Sequence, residues 1–207
     1  RVRSSAASDV YKRQVVRDAY YDLPTSKYYG KSIIAPETKS KLLEEQSWRW
    51  YPWPTKITTP GEHPEALYAD PALKTLKSTA GATYLDQYML RLAETYLLRA
   101  EAFLMKGDKE KAANDINEVR NRAHTSEVVA SEVTIDYILD ERARELVYEE
   151  FRRITLGRLG KYVERVRKYN TLNGPRVEDY HELFPIPYSA IEANKDAVLE
   201  QNPGYKN

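Results

Sequence analysis

Trp48, Trp50, Tyr51 and Trp53 place four aromatic rings within six residues. Rings of this kind stack on the apolar C–H face of a sugar, while indole N–H and phenol O–H groups bond its hydroxyls. In extended backbone Trp48 and Trp50 fall on one side, with Arg49 between them. The segment has the composition of a carbohydrate-binding platform. The competing account is packing, either over helices beneath or against parts of a larger protein. Tyr28 and Tyr29, with Tyr20 and Tyr21 upstream, form a second candidate set. The chain holds 17 Tyr and 3 Trp but only 3 Phe. That bias favours half-wet amphipathic surfaces over dry cores.

The densest charge cluster is Glu141, Arg142, Arg144, Glu145, Glu149, Glu150, Arg152 and Arg153. Two carboxylates flanking a cleft could hydrolyse a glycosidic bond. Here, however, the glutamates share one helix face with arginines three and four residues away. Intrahelical pairs account for them at lower cost. The expected role is a partly buried ion-pair network tying this helix to Arg91, Glu94, Arg99 or Glu101. His63, His124 and His181 are scattered, with no pair at metal-ligand spacing, so neither a metal site nor a cofactor is expected. There is no Gly-rich phosphate loop, nucleophile elbow or calcium-loop pattern. Lys161, Arg165, Arg167 and Lys168 make a basic stretch that reads as a solvated helix face.

These residues must be positioned by helices. Tyr96, Ala100 and Phe103 share one helical face, and Ala112, Ile116, Val119 and Ala123 share another. Gly107 supplies a left-handed stop, and Asp108 can cap the following helix. The order aromatic, small, aromatic, turn, small, apolar is that of a tetratricopeptide-type hairpin between about residues 87 and 123. A longer helix starts at a Thr134 cap, with Ile135, Ile138, Leu139, Ala143, Leu146 and Val147 as its apolar face. It is expected to run to about Thr155 and to weaken at Gly157 and Gly160. Asn173-Gly174-Pro175 breaks the chain, Phe184–Pro187 is extended, and Ser189 can cap a last turn over Ala190–Asn194. Seven of the eleven prolines lie between residues 15 and 85, together with ten aromatics. A short helix over Pro36–Glu45 fits within this region, which otherwise reads as a loop-rich layer over a helical scaffold. The fold class is therefore mainly α: tetratricopeptide-like hairpins with a long, aromatic- and proline-rich loop layer.

A net charge of +1 gives no long-range attraction to nucleic acid or anionic membrane. No run approaches 18 consecutive apolar residues. The absence of cysteine excludes disulfides, thiolate metal sites and cysteine nucleophiles. Residues 1–14 are polar, basic and aperiodic, and read as a disordered or foreign arm; the chain reads as a fragment whose domain spans 15–207.

Several motifs together resemble a known family. Leu90–Ala102 (LRLAETYLLRAEA) and Asp115–Ala123 (DINEVRNRA) look like the signature helices of SusD/RagB proteins. Glu141–Leu146, with Glu149, Arg152, Arg153, Leu156 and Arg158, looks like their next helix. Phe184-Pro185-Ile186-Pro187 and Gln201–Tyr205 (QNPGY) are similar to their C-terminal end, and Arg17–Lys31 is similar further upstream. The resemblance implies a surface-exposed outer-membrane lipoprotein of Bacteroidota-type bacteria. It would bind an oligosaccharide or other nutrient and pass it, without chemistry, to a TonB-dependent SusC-like barrel. Full members are more than twice this length, and the lipid-bearing cysteine and N-terminal repeats of the family are absent from this chain. One alternative is a tetratricopeptide-like scaffold whose partners are all proteins; another is a glycoside hydrolase.

Overall fold

The computed structural model describes residues 16–17, 24–32, 53–54, 56, 63–72, 75–81, 86 and 88–206. The expected arm over 1–14 and the short helix over 36–45 lie outside the described residues. Two compact units divide the chain, Arg1–Glu149 and Glu150–Asn207.

In the first unit, α1 (Leu92–Met105) and α2 (Lys109–Arg122) form the expected hairpin. The turn between them follows from three residues. Gly107 takes a φ of 80°. Its N–H donates to the Leu104 carbonyl at 2.9 Å, and that of Asp108 donates to Phe103 at 2.9 Å. These two bonds satisfy the last carbonyls of α1, and the left-handed residue between them is one that glycine adopts without strain. Asp108 Oδ1 then accepts from the Lys111 N–H at 3.0 Å and starts α2. Ala100 and Ala112 are fully buried beside Leu97 and Ile116, so small residues line the closest part of the core. Val128, Val133, Ile138 and Leu146 complete that core. The connector is fixed by Asn117, whose side-chain amide donates to the Val128 carbonyl at 3.0 Å and accepts from its N–H at 2.8 Å.

Thr134 Oγ1 accepts from the Tyr137 N–H at 3.1 Å and opens α3 (Ile135–Glu145). The helix stops ten residues short of the expected Thr155. A continuing helix would give the Glu145 carbonyl an N–H from Glu149. Instead the carbonyl accepts from Lys56 Nζ at 2.7 Å and from the Arg91 guanidinium at 3.0 Å. The Glu149 N–H turns back to Leu146, and Tyr148 takes a φ of 66°. Side-chain cations at the negative end of the helix dipole thus replace the next turn. Ala143, expected on the apolar face, is exposed. Ile138, Leu139 and Leu146 of that face are buried, and the buried side of the helix also takes in Glu141, Arg142 and Glu145.

Before α1 the described residues form turns and two short antiparallel ladders. β1 (Val16–Arg17) pairs with β2 (Trp53–Pro54), setting Arg17 opposite Trp53. β3 (Tyr68–Asp70) pairs with β4 (Thr75–Leu76). Pro54 is tolerated because a two-residue ladder needs few donors.

The second unit holds α4 (Arg152–Arg158), α5 (Tyr162–Tyr169) and α6 (Tyr188–Ala193). Gly157 is the penultimate residue of α4, which ends at Arg158, and the chain turns at Gly160, with a φ of 62°. The last helix begins after Pro187, one residue before the expected cap, so Ser189 lies inside it. Proline's fixed φ and lack of an N–H suit a helix start. Glu182 caps α5 from a distance, accepting from the Val163 N–H at 2.8 Å. The tail is stapled to the extended segment. Gln201 exchanges two hydrogen bonds with the Ile186 backbone at 2.7 and 2.8 Å, and Asn202 donates to the Phe184 carbonyl at 2.7 Å.

Overpacking the hairpin should be costly. Ala112→Leu is expected to lose about 1–3 kcal/mol in a urea melt, whereas Ala102→Leu on the exposed side should stay within about 0.5 kcal/mol. Equal effects would refute close approach at Ala112. The hydrogen bonds from Lys111 hold the Asp108 carboxyl below its ordinary value of 3.8. A depressed carboxyl stabilises the fold above its ordinary value and ceases to do so as pH falls through the lower, folded-state one. Asp108→Ala should therefore melt below the wild type at neutral pH, with the gap closing in strong acid. A gap independent of pH would rule out the charged cap.

Candidate ligand surface and its ionic frame

Of the six residues expected to bind ligand, Trp48, Trp50 and Tyr51 lie outside the described residues. Trp53 is in β2, its backbone opposite Arg17. Tyr28 and Tyr29 sit in a separate turn. There the Tyr29 N–H donates to the Ser26 carbonyl at 3.0 Å, and Gly30 takes a φ of 74°. The ammonium of Lys27 lies 4.8 Å from the Tyr28 ring centre, and the Tyr29 side chain is exposed.

A groove of about 360 Å³ opens where α1 begins. Tyr88, Tyr96 and Leu92 supply apolar wall, and Arg91, Glu118 and Arg122 supply charge. Sequence reasoning did not single out Tyr88. The available signal was weak: an aromatic residue four positions before a helix start. Tyr96 belongs to the hairpin face and packs against the core while also lining the groove. Two tyrosine rings beside guanidinium and carboxylate groups offer both stacking faces and hydrogen-bonding partners to a polyhydroxylated ligand.

Beneath the groove lies the charge cluster. Glu141 is fully buried and accepts from Arg120 at 2.7 Å and Arg144 at 2.6 Å. Glu145 accepts from Arg91 at 2.8 Å and Arg122 at 2.7 Å. Glu149 accepts from Arg91 at 2.6 Å and pairs with Lys56 at 2.6 Å. Arg142 reaches Glu94 at 3.2 Å. The network ties α3 to Arg91 and Glu94 as the sequence suggests. It differs in one respect: Arg99 makes a bidentate pair with Asp115 of α2, at 2.8 and 2.7 Å, instead of joining α3. Most pairs cross between elements, and Glu141–Arg144 is the one that follows helical spacing within α3.

Burial shapes these cations. It pushes the Lys56 ammonium below its ordinary value, and the hydrogen bond and charge of Glu149 restore it only in part. Burial also acts downward on Arg91, but the hydrogen bonds it donates to Glu149 and Glu145, with their charges, outweigh it and the net direction is up. Arg91 carries its charge to the groove wall.

Removing one member of a fully buried pair strands the other. Glu141→Ala should cost about 3–5 kcal/mol. Glu145→Ala should cost about 1–3 kcal/mol, since Arg122 is half in water and can be solvated. Denaturant melts that placed Glu145→Ala at or above Glu141→Ala would overturn this ranking.

The residue pattern has known counterparts. A model of the SusD family matches residues 5–205. Starch-binding protein SusD of Bacteroides thetaiotaomicron is 40% identical over 138 residues, covering 63% of this chain and 24% of that protein. The chain thus spans about a quarter of the length of this curated relative. A solved structure titled BT4246 aligns with a TM-score of 0.47 at 26% identity, over 63% of this chain and 25% of that one. Because the family match runs through the hairpin, the ionic frame and the stapled tail alike, the chain belongs to the SusD family.

Proposed function

We propose that this chain is part of a cell-surface glycan-binding protein of a nutrient-uptake system. It holds an oligosaccharide and delivers it, chemically unchanged, to a TonB-dependent SusC-like barrel in the outer membrane, with attachment through a lipid anchor outside this sequence. The observation that carries this reading is the 40% identity to a relative named for starch binding, joined to a run of aromatic residues suited to sugar rings. Trp48, Trp50, Tyr51 and Trp53 form the principal ligand surface, and Tyr28 and Tyr29 a secondary one. Binding here is stacking plus hydrogen bonding, and Glu141, Glu145 and Glu149, the carboxylates from which a hydrolytic pair would be drawn, are each already committed to guanidinium groups.

One observation favours a protein-contact role alongside it. Leu98, Ala102 and Met105 lie on one side of α1 at spacings of four and three and are exposed. An apolar stripe of this kind suits a helical partner.

Electrophoresis through gels containing soluble starch tests the binding role. The wild-type chain should be retarded relative to a non-binding control, and Trp50→Ala should migrate nearly as the control does while keeping its helical circular dichroism. Unretarded wild type would leave the protein-contact role standing. Reducing sugar released on long incubation would contradict delivery without chemistry.

A further inference from the structure

We propose that the groove at the start of α1 is a saccharide site in its own right, taking one face of a neutral pyranose ring, with Tyr88 as the stacking surface and Glu118 as the hydroxyl acceptor. The inference rests on the carbohydrate-binding reading above and adds to it a second location and a ligand class.

Two elements make the groove, and the ionic frame fixes them against each other. Arg91 Nη1 lies 2.8 Å and Arg122 Nη2 2.7 Å from the same oxygen, Glu145 Oε1. One shared carboxylate oxygen thus holds the start of α1 beside the end of α2. Val119 is buried and lines the space between them. The volume of about 360 Å³ falls within the range of small-molecule sites. Tyr88 keeps 64% of its surface open to solvent. The Arg91 guanidinium, 5.8 Å from the ring centre, holds that ring at the groove.

The charges in the wall are not equivalent. Arg91 places three of its five N–H groups on Glu145 and Glu149, and Arg122 pairs with Glu145. Both guanidinium groups are therefore matched by carboxylates. Glu118, one turn before Arg122 on α2, is exposed and makes no ion pair or hydrogen bond among the described residues. An ionised carboxylate only accepts hydrogen bonds. Adjacent hydroxyls on a pyranose supply donors to its two oxygens, while the C–H face of the same ring covers Tyr88. The two N–H groups that Arg91 does not use are donors for a ring or hydroxyl oxygen.

This combination selects the class of ligand. An apolar protein side chain filling the groove would desolvate Glu118 and return no donor to it. A uronate would bring a second negative charge to the one uncompensated charge of the wall. A neutral sugar meets neither penalty.

The test uses the whole 207-residue chain carrying Trp50→Ala, which disables the aromatic run. Calorimetry with maltotriose should still show saturable binding, weaker than that of the wild type. Adding Glu118→Gln or Tyr88→Ala should weaken it about tenfold further, with the helical circular dichroism retained. Both positions are exposed, so neither change removes a core contact. Competition separates charge from shape. Glucuronate should displace maltotriose less readily than glucose does, and Glu118→Gln should narrow that difference, which a merely structural role for Glu118 would leave alone. Equal displacement by the two sugars before Glu118 is changed would overturn the neutral-sugar assignment. Binding that is lost entirely with Trp50→Ala, or that is unmoved by both groove substitutions, would overturn the site and leave the carbohydrate reading standing. A wild-type chain that binds no maltotriose would overturn both.

Discussion

The first unit depends on placing acidic side chains inside a helical core and matching each with cations from elsewhere in the chain. Glu141, Glu145 and Glu149 cannot be desolvated alone, since the cost of an unpaired buried charge exceeds what local packing returns. Their partners among the described residues are Arg120 and Arg122 from α2, Arg91 from the start of α1, Lys56 from the loop layer and, within α3 itself, Arg144. Satisfying these charges fixes α1, α2 and the preceding chain in one arrangement about α3. Apolar packing at Ala100, Ala112, Ile116 and Ile138 brings the helices together; the ionic frame specifies their register. Ion pairs of this kind add little net stability over apolar replacements, but an arrangement that separates a buried pair leaves an uncompensated charge and is penalised.

The same constraint explains the end of α3. The Glu145 carbonyl is taken by two side-chain cations, leaving the next N–H to turn back. A helix end is thereby converted into an anchor for residues far away in sequence. The groove at the start of α1 inherits its charged wall from this arrangement, because Arg91 belongs at once to the frame and to the groove.

The second unit relies on side-chain to backbone bonds more than on a large core. Glu182 supplies the cap that α5 lacks locally, and Gln201 and Asn202 staple the Phe184–Pro187 segment. Segments rich in proline have few N–H groups to pair with each other, so amide side chains serve as their hydrogen-bonding partners. Arg153 contributes by lying between rings, its guanidinium carbon 3.3 Å from the Tyr162 centre and 4.4 Å from that of Phe184.

By itself the sequence determined whatever rests on local chemistry. Gly107 and Asp108 specify the hairpin turn, Thr134 the start of α3, and the spacing of Ala100, Ala112, Ile116 and Val119 the buried faces, because caps, left-handed residues and helical periodicity act within a few positions. The ordered motifs also carried the family. Tertiary structure decided the rest. It ended α3 at Glu145 and buried Glu141, Arg142 and Glu145 beside the expected Ile138, Leu139 and Leu146. It gave Arg99 to Asp115, and it brought Lys56, Tyr88 and Arg91 to one place. Each of these outcomes joins groups from different elements, and in some of them groups dozens of residues apart. Charge pairing is selected by three-dimensional proximity, to which residue spacing along the chain is blind.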